Sequence, residues 1–205
     1  MARPAARALV RVLQAGVAAI LLVGLATTNV SVVVNAGLGL GVTFLPAVLR
    51  RDLRLYLSPG ASLWVAAAVF LHTLGMAGPY HNVWWYDHLT HGFSAALVAA
   101  AGYATARALD EHRDDLYFPR PFLAVFILLL TMAFGVLWEV LEFLAREAAF
   151  AMGLDPVLVQ YGIDDSLLDL VFDAAGAVLV ATVVAHYLAA DVVALTAWLD
   201  GDVRR

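Results

Sequence analysis

The chain has 205 residues, of which 63% are hydrophobic and 14% charged, with a mean hydropathy of +0.84. A soluble domain carries about 25% charged residues, so this balance excludes an ordinary globular domain and predicts an integral membrane protein. The absence of cysteine excludes disulfides and thiolate metal sites, and a net charge of −5 with no basic patch speaks against nucleic acid as a partner.

In chain order, six apolar stretches approach the roughly 20 residues a helix needs to cross a bilayer. Residues 9–26 follow Arg3, Arg7 and Arg11 in the manner of a signal peptide. A second span, 30–49, begins almost at once, so the first is read as a membrane helix. The second holds GLGLG (residues 37–41), which lacks the G-x-G-x-x-G spacing of a phosphate loop and follows no strand. Its small residues suit close helix packing instead. Spans 61–77, 87–109, 121–148 and 166–190 complete the set. GPYHNVWWYD, before span four, places Trp84, Trp85 and Tyr86 at a membrane interface. DEHRDDLYFPRP is a short charged connection before span five. The expected fold is all-α: a six-helix transmembrane bundle, one polytopic domain over residues 1–205, multi-pass in the cell membrane.

The arginines, the only basic residues besides histidine, give an orientation. Arg3, Arg7, Arg11, Arg50, Arg51, Arg54, Arg107, Arg113, Arg120, Arg204 and Arg205 all fall on one side of six spans, and Arg146 falls on the other. Positive residues collect on the cytoplasmic side, so both termini are predicted to be cytoplasmic.

Six spans bring the ionisable residues to one depth. Asp87, His88 and His91 open span four, Glu139 and Glu142 occupy the outer half of span five, and Asp165, Asp169 and Asp173 the first turns of span six. His72 ends span three at the same level. The spacings i,i+3 and i,i+4 put each set on one face of its helix. A charge at mid-bilayer costs about 2.5–3.5 kcal/mol on insertion scales. Protons, ion pairs, water or a cation must neutralise these carboxylates. Arg146, one turn beyond Glu142, is expected to pair with it as an i,i+4 neighbour, which leaves no arginine for the others. Histidine with carboxylates suits Zn²⁺, Mn²⁺ or Fe²⁺, and carboxylates alone suit Mg²⁺ or Ca²⁺.

Structural roles compete with these. Asp164 or Asp165 can cap span six, Ser166-x-x-Asp169 has capping-box character, and Asp87 can cap span four. Capping does not account for Asp173, two turns deeper. His72 suits a hydrogen-bonded packing role. His81 lies in the outer loop, and His112 and His186 at the cytoplasmic side. Glu139 and Glu142 can also serve as structural partners of His88 and His91.

WWYDHLTHGFSAAL, FGVLWEVLEF and DDSLLDLVFDAAGAVL resemble the pattern of the YjdF-like family of polytopic membrane proteins, and more distantly that of VanZ-like proteins. The VanZ-like positions correspond here to Asp87 and His91; to Gly135, Glu139 and Glu142; and to Ser166, Asp169, Asp173 and Gly176. The likeness covers spans four to six. Glu142 stands where that pattern has Gln and Asp173 where it has Asn, so the site here is more acidic, which favours a cation. The resemblance implies an architecture and a site but supplies no reaction.

The leading functional expectation is a metal-dependent membrane hydrolase or transferase acting on a lipid-like or polyprenyl-linked substrate at the outer leaflet. His88, His91, Glu139, Asp165, Asp169 and Asp173 are the candidate ligands of a divalent ion (Zn, Mn or Mg). Glu142 is the general base, and Asp87 is placed with it in catalysis. Membrane lipids are the expected partners. A proton- or cation-coupled transporter is the alternative, opposed by the nearly charge-free inner halves of the spans and the lack of an internal repeat. A homo-oligomer would build a pathway that one chain lacks. A non-catalytic scaffold with a polar core is the third possibility.

Overall fold

The computed structural model describes residues 3–158 and 160–201, so Arg204 and Arg205 lie outside the described residues. Every regular element among the described residues is a helix. They are α1 (Arg3–Ala26), α2 (Val30–Thr43), α3 (Leu45–Asp52), α4 (Pro59–Met76), α5 (Pro79–Asn82), α6 (Tyr86–His112), α7 (Arg120–Ala151), α8 (Ile163–Thr182), a 3-10 turn (Val184–Tyr187) and α9 (Ala189–Leu199).

Among the described residues, four segments are long and apolar enough to cross a membrane: Pro4–Ala26, Val30–Asp52, Pro59–Met76 and Arg120–Ala151. Helices α6 and α8 fall short because they carry the polar residues. Asp164, Asp165, Asp169 and Asp173 all lie within α8. Their distribution around the helix explains how α8 is accommodated. Ser166, Asp169 and Asp173 are buried, whereas Leu167, Leu168, Val171, Val178 and Leu179 are exposed. The polar stripe faces protein and the apolar stripe faces out, the arrangement a membrane demands of an acidic helix.

Helix α6 lies at the centre, against α4, α7, α8 and α9, while α1, α2 and α4 pack together beside it. Beyond its first two turns its buried residues are small, among them Ala95, Ala96, Ala99, Ala100 and Gly102. Small side chains let backbones approach closely, the usual basis of helix association in lipid. The contact with α8 is the tightest case. A Cβ on Gly176 would stand 2.4 Å from the Gly92 carbonyl oxygen and 3.0 Å from the Ala96 nitrogen. Below this contact Ile127, Ala177, Val180 and Leu188 close an apolar core.

Two expected spans are modified. The second breaks at Phe44 into α2 and α3. Pro46 has no N–H to continue the helical ladder and suits the second position of a new helix. The last, expected to run to residue 190, ends at Thr182, and after a 3-10 turn the chain continues as α9, packed along the C-terminal half of α6. Asp191, buried on α9, accepts the Ser58 N–H at 2.7 Å, while Ser58 caps α4 through the Ala61 N–H. Asp191→Ala leaves the Ser58 donor unserved, at a cost of about 1–3 kcal/mol. A lower apparent melting temperature in detergent is the expected result, with the polar cluster at the opposite end of the bundle unchanged.

Candidate functional site

The polar cluster forms where α6 and α8 begin and α7 approaches its end. His88 and His91, three residues apart on α6, point about 60° apart around the helix axis. His88 therefore meets α8, where its Nδ1 lies 2.8 Å from Asp169 Oδ1. Its ring stacks on Phe172 with centroids 5.5 Å apart. His91 sits among three carboxylates. Its Nε2 lies 3.8 Å from Asp87 Oδ1 and 3.9 Å from Glu139 Oε1, and its Nδ1 lies 3.6 Å from Asp173 Oδ1. Asp87, His88, Glu139, Glu142, Asp169 and Asp173 are all buried. Asp165, at the mouth, is half-buried, and one of its oxygens accepts the Tyr161 N–H at 3.1 Å.

Three ligand sets have the spacing for a cation, their donor atoms all within 4.8 Å of one another. They are Asp87–His91–Asp169, His88–Asp165–Asp169 and His91–Glu139–Glu142. Atoms bound at about 2.0–2.2 Å to one ion lie roughly 3–4 Å apart, so the His91 distances fit without rearrangement of the helices. Glu139 Oε1 is buried and has no hydrogen-bond partner. A buried carboxylate oxygen without a partner costs free energy, and here that oxygen faces an imidazole nitrogen. Asp173 belongs to none of the three sets. It touches the opposite ring nitrogen of His91, the position from which a carboxylate orients a ligating histidine. Gly135 makes room for it, since a Cβ there would come 2.2 Å from Asp173 Oδ2.

Several expected local contacts are replaced by others. Arg146 does not pair with Glu142: its guanidinium lies 3.5 Å from Glu147 and over the Phe143 ring. Glu142 instead accepts the Trp138 indole N–H at 2.8 Å. No arginine thus reaches the cluster among the described residues. The capping box is not formed. Gly162, with φ 120° in the region that favours glycine, caps α8 without a side-chain bond. Ser166 Oγ is 3.4 Å from Gln160 Nε2, and Asp169 turns to His88. Asp87 does not cap α6, whose N-cap is Trp85.

A cavity of about 740 Å³ opens beside the cluster, between α2 and α4 on one side and α7 on the other, with α6 as its floor. Its outer end is polar, with Asn35, His72, Tyr80, Asp87, His91 and Glu142 in the wall. Its deep end is mostly apolar, with Leu38, Val42, Val69, Val98 and Phe134, and Thr131 places one unpartnered hydroxyl among them. From Asp87 to Val98 the floor is about 16 Å long, at 1.5 Å per residue. His72 is held in this wall by Asn35 Oδ1 at 3.0 Å from Nε2 and by the Tyr80 hydroxyl at 2.9 Å from Nδ1. Asn35 in turn donates to the Ser31 and Val157 carbonyls. His81, on α5, meets the Tyr161 hydroxyl at 2.9 Å. His112 and His186 lie at the far end, against Asp200 and the Val183 carbonyl.

Asn35, Trp138 and Tyr80 join the site although sequence spacing did not single them out. Asn35 carried a usable signal, being with Gln14 one of two amide side chains inside the apolar spans, and Trp138 stands one helical turn before Glu142.

An uncharacterised protein of Thermotoga maritima is 25% identical to this chain over 143 residues, covering 69% of this chain and 70% of that protein. No solved structure is detectably similar. A family model described as Predicted membrane protein (DUF2238) matches residues 8–190, and the chain belongs to that family.

Proposed function

We propose that the protein is a metal-dependent membrane enzyme, a hydrolase or transferase that acts on the head of a lipid-like substrate, polyprenyl-linked carriers included. One observation carries this function: the 740 Å³ cavity is apolar at its deep end and presents His91, Asp87 and Glu142 at its polar end. A chain of methylenes or isoprenes suits the first and a phosphoryl or acyl head the second. A divalent cation supplies activated water and polarises the oxygen of such a head. His91 and Glu139 would hold it, with Asp87 and Asp169 within reach, and Asp173 would orient the His91 ring. Glu142 lies in the cavity wall with one oxygen held by Trp138. It is placed to take the proton of an attacking water.

The motifs that resemble the YjdF-like pattern contribute His91, Glu139 and Asp169, which supports a site shared with those proteins. The arginine distribution supports six crossings with both termini cytoplasmic, so the polar end opens toward the outer leaflet of the cell membrane. Leu38, Val42, Val69, Val98 and Phe134, with the Thr131 hydroxyl as a single polar group among them, give a translocating ion few polar steps, which favours an enzyme over a transporter.

Protein purified in detergent is expected to retain at least one equivalent of a divalent metal, and Glu139→Ala to lose the ion at His91. Metal-loaded protein in liposomes of a polar-lipid extract is expected to release or transfer a lipid head group, followed by mass spectrometry, and a chelator to stop it. A wild-type protein without metal, or with metal and no effect on any lipid, contradicts the proposal. Val98→Trp fills the deep end of the cavity. Turnover is expected to fall at least tenfold with metal content unchanged, because Val98 lies about two turns below His91.

A further inference from the structure

The cluster divides around α6. His91 shares donor sets with Glu139 and Glu142 and with Asp87 and Asp169, whereas His88 shares one with Asp165 and Asp169. No set contains both imidazoles, and Asp169 alone belongs to a set with each. The division follows from the i,i+3 spacing, which turns His91 toward α7 and the cavity and His88 toward the first turns of α8. His91, Asp87 and Glu142 line the cavity; His88, Asp165 and Asp169 do not. The second set is reached instead from the mouth of the bundle, where Asp165 is half-buried.

Charge points the same way. Asp87, Asp165, Asp169, Asp173, Glu139 and Glu142 crowd around the imidazoles, and Arg146 is engaged with Glu147 and Phe143 instead. One divalent cation balances only two carboxylates. The rest must be protonated, paired with an imidazole or met by a second cation, since an uncompensated charge in a low-dielectric interior is costly. Glu139 Oε1, buried, unpartnered and 3.9 Å from His91 Nε2, marks the His91 side as a place prepared for a ligand.

Resting on the metal-dependent reading above, we propose that the protein holds two divalent cations. One lies on the cavity at His91 and Glu139, beside Asp87. The other lies behind α6 at His88, Asp165 and Asp169, with Asp169 between them. The cavity ion serves the substrate head. The back ion ties α6 to α8 and fixes Asp169, so it is structural and positions the first.

Elemental analysis of the full chain, loaded with Mn²⁺ in detergent and freed of excess by gel filtration, counts them. Two equivalents per chain are expected for the wild type, and one for His88→Gln, for Asp165→Asn and for Glu139→Gln. Electron paramagnetic resonance on the same wild-type sample is expected to show a spin-coupled Mn²⁺ pair, and His88→Gln a single-ion spectrum. This wild-type spectrum decides the matter even where a variant fails to fold. One equivalent with a single-ion spectrum overturns the second site and leaves the metal-dependent function standing. No bound metal overturns both. Two equivalents retained in His88→Gln overturn the placement of the back ion.

Discussion

Asp169→Ala is expected to abolish stoichiometric metal binding and to lower the stability of the protein. Asp169 is 1% exposed, holds His88 at 2.8 Å, and belongs to two of the three donor sets. Its removal takes a carboxylate from the His91 side and from the His88 side together. Changes to groups that only orient a ligand already cost about 10–100-fold in metal affinity, so loss of a shared ligand should exceed that range. Stability falls for a separate reason. His88 keeps its buried place but loses its partner, at a cost of about 1–3 kcal/mol. Asp169→Asn separates the two effects, since an amide can still hydrogen-bond His88 but is a poor cation ligand. The asparagine variant is expected to melt near the wild type and to contain little metal. Equal metal content in wild type and asparagine variant would show that Asp169 is a structural partner of His88 and nothing more.

Gly176→Ala is expected to have the largest effect on the fold. The added methyl would meet the Gly92 carbonyl oxygen at 2.4 Å and the Ala96 nitrogen at 3.0 Å. Both are backbone atoms of α6, so no rotamer change relieves the clash and the two helices must move apart. Overpacking typically costs about 1–3 kcal/mol, and a backbone neighbour puts this case at the upper end. The same movement pulls His88 from Asp169 one and a half to two turns up the interface, so metal content should fall with stability. Thermal unfolding in detergent, with metal analysis of the folded fraction, checks both. Gly41→Ala is the control, since a Cβ there meets nothing within 4 Å.

The helices were legible wherever one local rule decides them. Span four, expected at 87–109, is α6 at Tyr86–His112, and span five, expected at 121–148, is α7 at Arg120–Ala151. The last helix shows the limit of hydropathy. Residues 183–190 continue the apolar run, yet the α-helix breaks after Thr182, and buried Asp191 bonds to Ser58 across 133 residues of sequence. That bond depends on which helices are neighbours, and hydropathy does not report this. The cluster was legible in outline because acids and histidines in apolar helices must face inward. Partner choice within it was not. Arg146 and Glu142 have ideal i,i+4 spacing, but Glu142 is taken by Trp138. Asp169 has capping-box spacing from Ser166, but His88 on another helix holds it. Where a local and a tertiary partner compete for a buried carboxylate, the tertiary contact decides, and only the fold shows it. Asp173 illustrates the same point: its spacing made it a ligand candidate, and its contact with His91 Nδ1 suits an orienting role.

In the proposed function His91 and Glu139 face each other across a cation. An anomalous difference map, collected at the absorption edge of the metal found in the purified protein, tests this directly. The expected result is a peak within bonding distance of His91 Nε2 and Glu139 Oε1, at the polar end of the cavity. A map with no peak there, from crystals of protein that binds metal elsewhere or not at all, would contradict it.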